Sequence, residues 1–191
     1  MGGLLVIWLI AFVFPAVARP ADSSPLPPGV AEFSDRAKDY AKLQKSLRAK
    51  LPGIKKRDTP DRITSHQNLL AASLKVARQN AKQGDILIAA VRPYFTQLVR
   101  AELTGPGSKP AREILKESNP RNGKEPSPKP VKVAINATYP TEAPFTTVPP
   151  SVLLKLPKLP DELEYRFVGK TLILRDTAAN LIVDYLPEVA P

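Results

Sequence analysis

Twenty-two prolines are spread along 191 residues, and no cysteine accompanies them. Proline removes a backbone donor and breaks helix interiors and central strands, so this chain must be assembled from short elements that fit between its prolines. Without cysteine, no disulfide can compensate for a small core. Thiolate metal sites and cysteine nucleophiles are excluded with it. The single histidine is His66 and the single methionine is Met1, which leaves no donor set for a soft metal. No GxSxG elbow accompanies His66, and we read it as a boundary residue of a helix. No cofactor is expected.

The first residues, MGGLLVIWLIAFVFPAVA, hold no charged side chain and an apolar run from Leu4 to Phe14. A spanning helix needs about 20 apolar residues, so the run is short for a span. Ala16-Val17-Ala18 has the small-x-small form of a signal-peptidase site. Residues 1–18 are therefore expected to be a cleaved secretory signal, with the mature chain starting at Arg19 in the periplasm or outside the cell. No Lys or Arg precedes the run, and an uncleaved N-terminal anchor is the alternative. Residues 19–30, which contain RPADSSPLPP, are read as a flexible tether.

A helical region is expected over 31–104. Phe33, Ala37, Tyr40, Leu43, Leu47 and Leu51 recur at spacings of three and four and form one stripe. Lys38, Lys42 and Lys45 lie opposite it, and Pro52-Gly53 ends it. A second helix is announced by Thr59 as a cap, Pro60 at the first position and Asp61 in the first turn. Ile63, Gln67, Leu70, Leu74, Ala77 and Ala81 carry its stripe towards Lys82 and Gly84. In the third segment Pro93 predicts either a kink or a helix beginning near Ala90, with Val91, Phe95, Leu98, Val99 and Leu103 as its apolar face.

Residues 105–130 read as a disordered, proline-rich linker in which Ala111 to Glu117 could form only a short helix. From Val131 to Tyr139 apolar and polar residues alternate, the pattern of a strand. Pro149 to Pro160 is apolar but punctuated, and suits one helical turn or an extended strap. The stretch LEYRFVGKTLILRDTAANLIVDYLP, Leu163 to Pro187, then folds back on itself if Gly169-Lys170 is a two-residue turn. That turn sets Val168 opposite Thr171, Phe167 opposite Leu172, Tyr165 opposite Leu174 and Glu164 opposite Arg175. Asn180 suits a left-handed position closing the next loop. Leu181, Val183 and Tyr185 are expected on the apolar face, and Arg166, Thr171, Arg175 and Asp184 on the other. The fold class is α+β: an N-terminal helical hairpin or three-helix bundle, a proline-rich linker, and a small C-terminal antiparallel three-stranded β-meander within residues 131–191.

LPKLPDELEYRFVGKTLILRDTAANLIVDYL resembles the C-terminal module of periplasmic proteins grouped as nickel/cobalt transporter regulators, with its proline-rich lead-in, aromatic strand, Val-Gly turn and final short strand. The pattern from Gly84-Asp85 to this ending also resembles uncharacterised exported bacterial proteins. The resemblance covers about thirty residues and implies a bacterial envelope protein. It carries no metal handling across, because this chain has almost no His, Met or Cys.

Charge is unevenly placed. Residues 35–57 hold nine Lys or Arg against Asp35 and Asp39, whereas 159–191 hold three basic and six acidic residues. The function expected is a non-enzymatic exported binding or interaction protein of the bacterial cell envelope, with Lys38, Lys42 and Lys45 as candidate contacts to an anionic surface. An envelope protein is the other candidate partner. The alternative is a small carboxylate-based periplasmic hydrolase using Glu162, Glu164 and Asp184. The basic composition, with a pI near 9.9, invites nucleic acid. Export, an acidic end and the lack of an aromatic-basic groove argue against it.

Overall fold

A computed structural model describes residues 26–55, 57–117, 131–140, 143 and 147–191. The signal segment, the tether up to residue 25 and linker residues 118–130 lie outside the described residues. Helix α1 is Val30–Arg48, α2 is Pro60–Ala77, α3 is Arg92–Thr104 preceded by a 3-10 turn at Ala89–Val91, α4 is Lys109–Glu117 and α5 is Pro150–Leu153. Strands β1 (Leu163–Val168), β2 (Thr171–Asp176) and β3 (Leu181–Leu186) form an antiparallel meander in the order β1-β2-β3. The fold class is α+β, as expected.

Helix starts follow the local chemistry. Pro60 and Pro93 both fall in first turns, where a missing N–H costs nothing because that donor has no intrahelical partner. Thr59 occupies the cap position of α2 without a capping side-chain bond. Gly29 caps α1 at φ 80°, and a Cβ there would stand 2.9 Å from backbone atoms of Ala90 and Val91. Only glycine suits both the angle and that close approach. Helix α2 ends at Ala77, earlier than the stripe through Ala81 suggested. The cause is Arg78, which leaves helical geometry and donates to the Val183 carbonyl at 3.0 Å.

The helices do not close a core of their own. Phe33, Leu70, Leu74, Phe95, Val99 and Leu103 share one cluster with Tyr165, Phe167, Leu172, Leu174 and Val183 from the sheet. Phe33 and Phe95 meet edge to face at 5.3 Å, and Phe95 lies 6.0 Å from Tyr165, a chain of rings from α1 through α3 to β1. Helix α4 adds buried Ala111 to this cluster. The expected linker thus begins with a packed helix. Because helices and meander share one cluster, residues 105–130 do not separate two cores.

The hairpin register is the one read from the sequence, with Glu164 opposite Arg175, Tyr165 opposite Leu174, Phe167 opposite Leu172 and Val168 opposite Thr171. Gly169 supplies the turn's positive φ of 60°, and Asn180 sits at 54°. The β2–β3 ladder departs from expectation. Leu174 faces Asp184 but Arg175 faces Ile182, so Val183 is skipped as a bulge. One extra residue restarts the alternation. Asp184 therefore turns inward to the helices, and Tyr185 outward opposite Ile173, correcting both placements.

Residues 131–140 also correct the sequence reading. Instead of a continuous strand they are irregular, with one antiparallel bridge from Thr138 to Leu181 and a turn at residues 135–136 in which Asn136 adopts φ 60°, which interrupts the apparent alternation. The segment still runs along β3. Asn136 and Tyr139 donate to the Ile182 and Asn180 carbonyls, and Ile182 donates to the Ala137 carbonyl. Val131, Tyr139 and Ala143 cover the outer sheet face at Val168, Ile173 and Ile182.

Candidate functional site

Lys38, Lys42 and Lys45 project from the solvent side of α1, with side chains 62, 76 and 66% exposed. Each has a carboxylate partner. Lys38 pairs with Asp35 at 2.9 Å, Lys42 with Asp39 at 2.9 Å and Lys45 with Glu162 at 3.1 Å. The first two follow from i,i+3 spacing on a helix; the third depends on the tertiary fold. Lys38 holds the Asp35 carboxyl below its usual range, and Asp39 raises the Lys42 ammonium above its own. The pairs with Asp35 and Asp39 lie open to solvent on both sides, where water and salt screen them, so an external anion competes for these two lysines at small cost.

Lys38 also borders an open groove of about 710 Å3 between α1 and the strap that follows α5. Lys155 and Lys158 line the same groove, with Tyr94, Val30, Pro157 and Leu159 as its apolar part. The strap is fixed from two sides: Tyr94 donates to the Lys155 carbonyl at 3.3 Å, and Tyr165 to the Pro157 carbonyl at 2.9 Å. Lys155 pairs with Glu102. The groove thus joins one expected lysine to two that lie far from it in sequence.

The three carboxylates weighed for acid-base chemistry are held by other groups. Glu164 accepts from Arg166 at 2.7 Å and Arg175 at 2.5 Å. Burial works to raise its pKa, and the two guanidiniums outweigh burial and hold it below the usual carboxylate range. Glu162 pairs with Lys45. Asp184 has turned to the opposite face of the sheet and accepts the backbone N–H groups of Gly84 (3.0 Å), Ile86, Leu87 and Tyr185 (each 2.8 Å). The expected convergence on one side does not form.

Around Asp184 runs a buried polar seam that periodicity alone does not reveal. Tyr40 donates to Asp176 at 2.7 Å, and Asp176 also accepts from Ala178 N and Ala179 N. Burial, reinforced by Asp176, pushes the Tyr40 phenol far above its ordinary value. The Arg78 guanidinium lies 5.1 Å over the Tyr40 ring and donates to Asn136 Oδ1 at 2.9 Å, while Asn136 returns a bond to the Arg78 carbonyl. Burial lowers the Arg78 pKa. On the outer side Arg175 bonds Asn180 and lies over the Tyr139 ring. His66 is buried on α2. These groups bind the layers together; they do not line the groove.

Among the described residues no group of three or more His, Asp or Glu could hold a metal ion, and no helix is long and apolar enough to cross a membrane. Comparison with protein-family models, with curated proteins and with solved structures gave no match.

Proposed function

We propose that this chain is an exported, non-enzymatic binding protein of the bacterial cell envelope, and that the exposed face of α1 meets an anionic surface there. The observation that supports this reading most is the row of Lys38, Lys42 and Lys45 on one exposed helix face, extended across the groove by Lys155 and Lys158. Their partners Asp35 and Asp39 are themselves exposed, so the pairs can open towards a denser array of negative charge. Burial of the strongest polar groups in the interlayer seam favours binding over catalysis. The apolar run before Ala16-Val17-Ala18 supports export.

Co-sedimentation with lipid vesicles tests the reading. The protein should pellet with vesicles containing phosphatidylglycerol and stay in solution with phosphatidylcholine alone. Raising salt from about 0.05 to about 0.5 M should release it, because screening then acts within a few ångströms. The variant carrying Lys38→Gln, Lys42→Gln and Lys45→Gln should bind several-fold more weakly. Equal binding to neutral vesicles, or an unaffected triple variant, would refute the proposal.

A further inference from the structure

A second cleft, of about 580 Å3, opens beside α4 and the β1–β2 turn. Leu103, Leu115 and Ala190 give it an apolar floor, and Arg112, Lys116 and Lys170 stand at its border. Arg112 and Lys116 share one face of α4 by their i,i+4 spacing. The wall formed by the last residues is fixed. Val189 N and Ala190 N both donate to the Lys170 carbonyl, at 2.9 and 3.2 Å, and Arg92 and Arg100 donate to the Pro187 and Glu188 carbonyls.

The electrostatics differ from those of α1. There each lysine is matched by a carboxylate of the same chain, whereas among the described residues Arg112, Lys116 and Lys170 have no ion-pair partner. Among the lining side chains three cations stand against Glu188 alone. A fixed, half-apolar concavity of this size falls within the range that small-molecule sites occupy. Excess charge at its rim selects the sign of the ligand.

We infer that this cleft binds a small amphiphilic anion: one phosphate or carboxylate head held by Arg112, Lys116 and Lys170, with a hydrocarbon tail lying over Leu103 and Leu115. The inference is independent of the α1 surface.

Calorimetric titration of the full chain with dodecyl phosphate, below its micelle concentration, tests it. Saturable binding of one molecule per chain is expected. The variant Arg112→Gln, Lys116→Gln, Lys170→Gln should bind about tenfold more weakly, the scale of losing three exposed charge contacts. All three side chains are exposed, so its thermal midpoint should match that of the parent. Inorganic phosphate, which has the head alone, and dodecyl maltoside, which has the tail with a neutral head, should each bind far more weakly. The inference is overturned if dodecyl phosphate does not saturate, if the triple variant binds it equally, or if either control compound matches it. The Lys38→Gln, Lys42→Gln, Lys45→Gln variant should bind dodecyl phosphate as the parent does, and a parallel loss in that variant would also overturn it. Loss of vesicle binding with dodecyl phosphate binding intact would remove only the α1 proposal.

Discussion

Replacing Asp184 by alanine should be among the most damaging single changes available to this protein. Its carboxylate is fully buried and accepts four backbone N–H groups, Oδ2 serving Ile86 and Leu87 and Oδ1 serving Gly84 and Tyr185. Ile86 and Leu87 are themselves buried, so alanine would leave two donors with no access to water. A buried polar group stripped of its partner costs about 1–3 kcal/mol, and two of them, with the weaker Gly84 and Tyr185 terms, make about 3–5 kcal/mol. Small domains have total stabilities of about 5–15 kcal/mol, so such a variant would be at the edge of folding. Asparagine separates charge and acceptor geometry from shape. Whichever way its amide is turned, an NH2 group faces two N–H donors, and we expect about 2–4 kcal/mol of loss despite near-identical volume. Urea melts followed by far-ultraviolet circular dichroism measure both. A loss below about 1 kcal/mol for Asp184→Ala, or an asparagine variant as stable as the parent, would show that these bonds are replaced by water and that the reasoning is wrong.

Phe167→Ala and Tyr165→Ala should each cost about 3–5 kcal/mol, because both rings are buried where helices meet sheet; the same melts decide, and a cost near that of a surface residue would contradict the shared core. Gln44→Leu should raise stability by about 1 kcal/mol, since among the described residues the buried amide has no hydrogen-bond partner on either atom and an apolar side chain of similar size removes that cost; a lower midpoint would argue that bound water satisfies the amide. Glu164 has a lowered pKa in the folded state, so its contribution is present above the unfolded carboxyl pKa and is lost as pH falls through the folded value. The stability gap between parent and Glu164→Gln should therefore be widest near neutrality and close in acid, and a gap that does not change with pH would count against the Arg166 and Arg175 pairing.

The hairpin was legible because one glycine turn fixes every pairing that follows, and its apolar and charged partners agree with a single register. Helix starts were legible through Pro60 and Pro93 for the same reason: the constraint is local. What failed was set by tertiary contacts. The bulge at Val183 has no glycine or proline to announce it, so simple alternation puts Asp184 on the outer face and the fold puts it on the inner one. The strand expected over 131–139 satisfied period two, yet Asn136 turns left-handed where its side chain exchanges bonds with Arg78. Helix α2 stops where Arg78 reaches the sheet, a partner more than a hundred residues away. The α1 lysines were legible as an exposed face; the groove beside Lys38 was not, because Lys155 and Lys158 arrive through the fold. The Gly84-Asp85 pattern marks a turn whose amides, those of Gly84, Ile86 and Leu87, find their acceptor on Asp184 of β3.

The bulge also sets the order in which the molecule can come together. Gly84, Ile86 and Leu87 have their carboxylate acceptor about a hundred positions further along, Arg78 finds the Val183 carbonyl 105 positions on, and Tyr40 waits for Asp176 across 136. Links of such separation form only after long loops have closed, which makes assembly slow relative to a bundle of local contacts. A chain emerging from the ribosome has its helices early but not the sheet that covers their apolar stripes. Until β3 has been made, the sides of Phe33, Leu70 and Phe95 that the sheet covers in the finished fold face water or a chaperone.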